Sequence, residues 1–484
     1  MEVFSSPQAS DDDAGQAQRR DPDVEVPPPH FQYLRPLHER EIRLLKIENG
    51  EGDSSNEGEI NCKLTYHTLD ELARNHLNEE GVLYIALSYA WGDFDISHTI
   101  KCDGQDLAVS KTLYSAIICL SKKVPIDDPK RKIPEVSVWI DAICINQSDV
   151  VEKANQVRMM KTIYGQAVAV LGWLGEEEEA DRRSLEFMRK IVRTLEIQDK
   201  YQDHTEATVA DDEVELQPAS GSSPAVVADP EYSAIFADSR LPLDLPDADS
   251  SEWDDFLHLI EKPWFSRVWI IQEFVAAKYF EFLCGGTLIE AKQVFEPINM
   301  LLRSQTFCAQ ITTFRSTKRR LTNSHKLRVL KQKMKTKTHQ SLLAILAETV
   351  NFEAKDPRDK VFAVLGLSND SNNDLIDYKA DLRKVLINTA RRLLELENGS
   401  LEMLSWAHAL ARTDDIEIPS WVIQWSSSEF VMIPLAHIFP SSTNNSEDRA
   451  DVSYSEVDKN NVSLWLWVLE STAAQVLMHV CFIL

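Results

Sequence analysis

Polar residues with chemical potential stand at the ends of apolar runs in this chain. The run Val82–Tyr89 stops at Ser88-Tyr89-Ala90-Trp91-Gly92-Asp93, and a second, Val136–Ile140, ends on Asp141 with Asn146-Gln147 close behind. Further on, Arg267, Trp269 and Glu273 fall close together on a stretch with helical patterning. A set of carboxylates beside an arginine accepts hydrogen bonds from hydroxyls and stabilises developing positive charge. Open α/β sheets bind ligands beyond the C-terminal ends of their strands, which puts Asp93 and Asp141 within reach of Glu273. Each residue also has a purely structural reading. Trp91, Trp139, Trp264 and Trp269 suit a core, and Asp141 with Asn146-Gln147 suits a turn and cap before a helix. Arg267 suits an ion pair with Glu273 or Asp141.

Other chemistries are excluded by what is missing. There is no G-x-x-x-x-G-K, G-x-G-x-x-G or G-x-S-x-G, so an ATPase, a Rossmann dehydrogenase and a serine hydrolase are unsupported. His98, His258 and the remaining histidines show no metal spacing. Cys62, Cys102, Cys119, Cys144, Cys284, Cys308 and Cys481 are odd in number and never form C-x-x-C. Neither a zinc site nor a disulfide framework is indicated, and a reducing, cytoplasmic setting is expected. A formal charge of −26 on 484 residues argues against nucleic acid and against an anionic membrane face as partners. Hydrophobic residues at 43% are enough for a proper core. Met1–Asp13 lacks the basic flank and apolar stretch of a signal peptide. Ser463–Leu484 is the one membrane-like stretch, but Glu470 near its middle favours a buried strand and helix over a span. The abrupt Cys-Phe-Ile-Leu end suggests a longer, truncated domain.

The elements that must position these residues follow from periodicity. Strands are expected over Val82–Tyr89, Val136–Asp141, Val168–Leu171 and Tyr279–Cys284, with a helix over Lys111–Leu120 between the first two. Asp149 and Glu152 have capping-box spacing, and Ala154, Val157, Met160, Tyr164 and Ala167 follow on one helical face. A helix capped by Ser251 and another from Trp264 to about Lys278 are expected next. Beyond Glu290 the chain reads as helix: Glu290–Arg303, Gln340–Val350, Pro357–Leu365 opened by Asp356, and Leu382–Leu396. The basic segment Arg315–Lys337 reads as a solvated helix face, with a contact for the acidic insertion and, least favoured of the three, nucleic-acid binding as the alternatives. Residues 1–30 read as a disordered leader and about 198–249 as a dispensable, disordered acidic insertion. Strands alternating with helices imply an α/β domain over 31–286 (core 83–277) with a mostly parallel sheet. A mainly helical region, 287–484, follows.

Four segments then carry a family resemblance, in order along the chain. They are Tyr84-Ile-Ala-Leu-Ser-Tyr-Ala-Trp-Gly-Asp93; Val138-Trp-Ile-Asp-Ala-Ile-Cys-Ile-Asn-Gln147, continuing to Trp173-Leu-Gly175; Pro263-Trp-Phe-Ser-Arg-Val-Trp-Ile-Ile-Gln-Glu273; and Asp356-Pro-Arg-Asp-Lys-Val-Phe-Ala-Val-Leu-Gly-Leu367 with Pro419-Ser-Trp421. Ile42-Arg-Leu-Leu45 and Cys102-Asp-Gly104 add to the set. Together they resemble the fungal heterokaryon-incompatibility (HET) domain family, whose members trigger cell death on non-self recognition. Ala90 and Lys153 depart from the usual Val and Arg.

The HET family is in turn similar to TIR domains, flavodoxin-like immune modules of which some cleave NAD with one helical glutamate. The TIR pattern Ser-x-Trp-Cys-x-x-Glu is similar to Ser266-Arg-Val-Trp269…Gln272-Glu273, with Ile270 in place of Cys and Ser266 one position further away. The resemblance implies Glu273 as the catalytic candidate and NAD as substrate, with no firm cofactor. It implies protein partners or self-association, in an effector of fungal innate immunity. A non-enzymatic module acting through partners is the other reading.

Overall fold

The computed structural model describes residues 31–48, 60–75, 82–92, 97–122, 137–206, 245–303, 315–369, 373–396 and 416–427, with a few positions between 403 and 410. The leader, Asp93, Cys308, Cys481, Ser463–Leu484 and the acidic insertion from 207 to 244 lie outside the described residues.

Strands β1 (Glu41–Glu48), β2 (Asn61–Thr68), β3 (Tyr84–Tyr89), β4 (His98–Cys102), β5 (Gln105–Val109), β6 (Ser137–Trp139), β7 (Ala169–Gly175), β8 (Phe280–Cys284) and β9 (Thr287–Glu290) form one nine-stranded sheet. Its order is β5-β4-β2-β1-β6-β3-β7-β8-β9. The expected neighbours β6, β3 and β7 are adjacent and parallel, with Ile85 opposite both Val138 and Ala169. β8 continues the parallel core beyond β7. All six residues of β3 are buried, as a strand covered on both faces requires.

The sheet as a whole is mixed, which corrects the expectation of a mostly parallel one. β1 pairs antiparallel with both β2 and β6, and β4–β5 and β8–β9 are antiparallel hairpins. The β4–β5 turn is Asp103-Gly104, both with positive φ (51° and 76°). That is the two-residue mirror-image turn whose twist matches a hairpin. Hairpins thus extend both sides of a parallel centre.

The helices are α1 (Leu69–Asn75), α2 (Lys111–Ser121), α3 (Asp141–Cys144), α4 (Val150–Gln166), α5 (Glu179–Glu206), α6 (Ser251–Ile260), α7 (Ile270–Ala276), α8 (Ala291–Arg303), α9 (Arg315–Lys335), α10 (Leu342–Thr349), α11 (Asp359–Leu365) and α12 (Leu382–Leu396). Asp149 caps α4 through Val151 and Glu152 amides at 2.9 and 3.1 Å. Glu152 does not complete the capping box. Its carboxylate is taken by Arg43 at 2.6 and 3.0 Å and by the Asn146 amide at 2.7 Å. The α6 cap is Ser250, one residue before the expected Ser251. The insertion's end is ordered, because Leu245 and Ala248 pack on the core. α5 likewise runs past residue 198 to Glu206.

The expected helix over Trp264–Lys278 is broken. A 3-10 turn, Pro263–Ser266, precedes an extended Arg267 (φ −66°, ψ 135°), and α7 starts only at Ile270. Asp356 caps a turn through the Arg358 amide (3.0 Å), so α11 starts at Asp359 rather than Pro357. In α9 several of the basic residues are engaged within the protein. Arg328 meets Glu296 at 3.0 Å, Lys333 meets Glu348 at 2.8 Å and Arg319 meets Glu353 at 3.1 Å.

Candidate functional site

The C-terminal ends of β3 and β6 gather the polar residues, as open parallel strands do. Ser88, fully buried near the end of β3, donates to Glu273 on α7 and accepts from Trp264 Nε1 at 2.8 Å. Arg267 comes from the extended residue between the 3-10 turn and α7. It donates to the Tyr89 carbonyl and lies 3.6 Å from Glu273 Oε1 and 4.0 Å from Asp141 Oδ2. Asp141, just beyond β6, accepts from Trp91 Nε1 at 2.9 Å and from the Ala142 amide at 2.8 Å. Both pairings foreseen for Arg267 therefore coexist.

Glu273 is 0% exposed, and its Oε1 has no hydrogen-bond partner among the described residues. Burial pushes its carboxyl up to about 7, Arg267 holds it down, Asp141 raises it and the Ser88 hydroxyl lowers it. Burial likewise raises Asp141, against Arg267, Trp91 and the Ala142 amide. Burial would lower the Arg267 pKa, but Glu273 and Asp141 outweigh it and the net direction is up. Two carboxyls beside one arginine therefore compete for a single counter-charge.

The other expected residues have varied places. Gly92 turns the chain after β3 with φ +72°, and a Cβ there would stand 3.3 Å from Thr112 Oγ1. Asn146 accepts from Ser148, and Gln147 donates to the Asp141 carbonyl at 2.9 Å. Their structural reading therefore describes what they do. Trp269 points away from the cluster and donates to Asp359 Oδ2 at 3.0 Å.

Sequence reasoning missed the residues that fix α7. Glu353 forms a parallel bridge with Arg267, through Val268 N to Glu353 O at 2.8 Å and Glu353 N to Ser266 O at 2.6 Å. Lys331 donates to the Phe274 and Ala277 carbonyls at 2.6 and 2.8 Å. Asp359, whose carboxyl burial pushes up to about 6, also accepts from the Tyr378 hydroxyl at 2.7 Å. The Asp356–Leu367 segment carried the one available signal, since it recurs in the resemblance without an assigned role.

A cavity of about 490 Å³ is lined by Lys111, Thr112, Trp173, Gly175, Lys262 and Pro263 among others. It sits beyond the end of β7. Pro263 lines it and the next residue, Trp264, bonds Ser88, so one residue separates cavity and cluster. Among the described residues no group of His, Cys, Asp or Glu could hold a metal ion. Nor is any helix among them long and apolar enough to cross a membrane.

Residues 84–273 match the model of the family described as heterokaryon incompatibility protein (HET). The chain is 27% identical over 376 residues to heterokaryon incompatibility protein 6, OR allele, of Neurospora crassa, covering 71% of this chain and 53% of that protein. The chain thus spans about half the length of the curated relative it matches. No solved structure matches it.

Proposed function

We propose that this chain is an effector of fungal non-self recognition, acting in heterokaryon incompatibility to trigger programmed cell death. In this reading Glu273 is its chemical centre and NAD its substrate. The observation that carries it is the ionisable, incompletely bonded Glu273 carboxyl at the ends of the parallel strands. Perturbed carboxyls concentrate where proteins do chemistry. The parallel strands run in the order second, first, third, fourth (β6-β3-β7-β8), the flavodoxin-like order whose switch point binds ligands. This supports the TIR-like reading.

In the reaction the bond between ribose C1′ and the pyridinium nitrogen breaks. Its electron pair goes to nitrogen, and neutral nicotinamide departs with little need of an acid. The ionised Glu273 stabilises the oxocarbenium-like charge and bonds the ribose hydroxyls. Water then adds to C1′, its proton passes to Glu273, and ADP-ribose is the product. Because Glu273 is sealed in this form, substrate reaches it only when Trp264 and α7 move. The protein acts in the cytoplasm, with protein partners or its own copies.

One observation favours a second reading. Glu273 has no exposed surface and is hydrogen-bonded to Ser88, as in a signalling module that kills through assembly. Incubating the full-length chain with NAD and following nicotinamide by chromatography separates the two. The enzymatic reading expects release that falls on the order of 100-fold or more in Glu273→Gln, with the variant still folded. A folded Gln variant that releases nicotinamide at the original rate ends the role of Glu273.

A further inference from the structure

We propose that Lys331, Glu353, Asp359 and Tyr378, which lie beyond the family match, form an intramolecular clasp that keeps Glu273 sealed, and that the acting form of the protein is the one in which this clasp lets go. The inference rests on the effector reading only for its cell-killing readout.

The geometry is specific to the segment that carries the cluster. Between Ser266 and Ala277 three anchors come from this one region, in addition to the bonds that tie Arg267 to the Tyr89 carbonyl and Glu273 to Ser88. At the start, Glu353 brackets Arg267 by two backbone hydrogen bonds, to Ser266 O and from Val268 N. In the middle, Trp269 Nε1 is held by Asp359, itself fixed by the Tyr378 hydroxyl. At the end, the Lys331 ammonium satisfies two carbonyls left free where α7 stops, as cations at helix C-termini do. The Lys331 ammonium also lies 4.4 Å from the centre of the Phe274 ring.

The anchors are tied to each other. Lys360, next to Asp359, donates to the Val350 and Phe352 carbonyls, in the turn that leads to Glu353. Release of the turn therefore loosens the first two anchors together.

The clasp is also built from groups that are costly to bury. Burial pushes Lys331 and Lys360 down to about 8 and Asp359 up to about 6. Such groups make a closed state that is specific yet carries a standing desolvation cost, the property of an element with a second accessible arrangement. A seven-residue helix such as α7 has little stability of its own, so its position depends on its packing against α4 and β3 together with these contacts.

Two variants at separate anchors test the proposal in the full chain. Lys331→Met keeps an apolar stem over Phe274 but loses both carbonyl bonds, and Trp269→Phe removes the bond to Asp359. Hydrogen exchange at the α7 amides is measured on purified protein, and killing is measured against expression level in a fungal host. The expected result is α7 exchange at least tenfold faster in each variant, with the core strands unchanged and death at several-fold lower expression. Unchanged α7 exchange overturns the proposal. So does faster exchange with killing that needs equal or higher expression, because a merely structural support would behave that way. If neither variant accumulates folded, the region is part of the core and the clasp is refuted. Faster exchange with no killing by any version, the original included, supports the clasp and refutes the effector reading.

Discussion

Two buried arginine–glutamate pairs differ in how completely they are satisfied. Arg43, on β1, is 0% exposed and meets both oxygens of Glu152 at 2.6 and 3.0 Å. It also bonds the Cys144 and Arg35 carbonyls at 3.0 and 3.1 Å and stacks 4.2 Å from the Tyr33 ring. Only its Nε lacks a partner. Arg267 faces Glu273 at 3.6 Å and Asp141 at 4.0 Å, beyond hydrogen-bond range of either. The first pair pins α4 against β1 with both carboxylate oxygens bonded and a single N–H, Arg43 Nε, left over. The second leaves a fully buried carboxylate oxygen without a bond, and such exceptions mark functional or strained positions. Burial of charge alone therefore does not distinguish a site from a strut; completeness of bonding does.

The strongest way to break this comparison is to remove one acid from each pair. Glu152→Gln leaves the enclosed Arg43 with an uncompensated charge, and about 3–5 kcal/mol of stability should be lost. In Glu273→Gln, Arg267 keeps Asp141 and the Tyr89 carbonyl, and its side chain is 18% exposed. The change also removes a carboxylate that burial penalises, so a loss of about 1 kcal/mol or less is expected at pH 7. Urea denaturation of both variants measures the contrast. Equal losses would mean that the two pairs are the same kind of structural bridge.

How much of this was readable beforehand varies by element. β3, β6 and β7 were legible because fully buried strands are continuous apolar runs. The hairpins were not, although Asp103-Gly104 is a hairpin signal, because β4 and β5 are short and only partly buried. The meeting of Asp141, Arg267 and Glu273 was anticipated, from a strand end and from charge pairing, but the Ser88 bond to Glu273 was not. The break at Arg267 was not, since its cause is Glu353, a partner far along the chain. Lys331 was hidden for a related reason. In a helix as uniformly basic as α9, pattern alone does not reveal which lysine turns inward to cap α7. Glu152 had ideal local spacing for a capping box, and a distant arginine claimed it.

A pH series sharpens the comparison on the Glu273 side. The Glu273 carboxyl rises from 4.5 to about 7 on folding, so between these values the folded protein holds the proton and the unfolded chain has released it. Stability must then fall as pH rises through that window, by on the order of 3 kcal/mol at most. Asp359 and Asp141 are shifted in the same direction, but they remain in Glu273→Gln. The difference between the original chain and this variant, measured by urea denaturation from pH 4.5 to 7.5, isolates the Glu273 contribution. The original chain should gain steadily on the variant toward low pH, and the difference should plateau above about 7. A difference independent of pH would show that Glu273 titrates normally.

The smallest expected effect comes from Ser88→Ala, and it probes what holds the unsatisfied pair in place. Ser88 donates to Glu273 and accepts from Trp264, so its hydroxyl bridges the carboxyl to the residue that follows Pro263, which lines the neighbouring cavity. Removing the oxygen leaves the Trp264 indole N–H without that acceptor and costs about 1–2 kcal/mol. The pH dependence is more informative than the cost. The Ser88 bond favours the ionised carboxylate and lowers the Glu273 pKa, so without it the carboxyl should titrate above about 7. The window of falling stability should extend upward by the same amount, while Arg43 and Glu152 are untouched. If the window stays where it was, Arg267 alone holds the charge of Glu273. The two pairs would then differ in distance but not in the kind of bonding that keeps them.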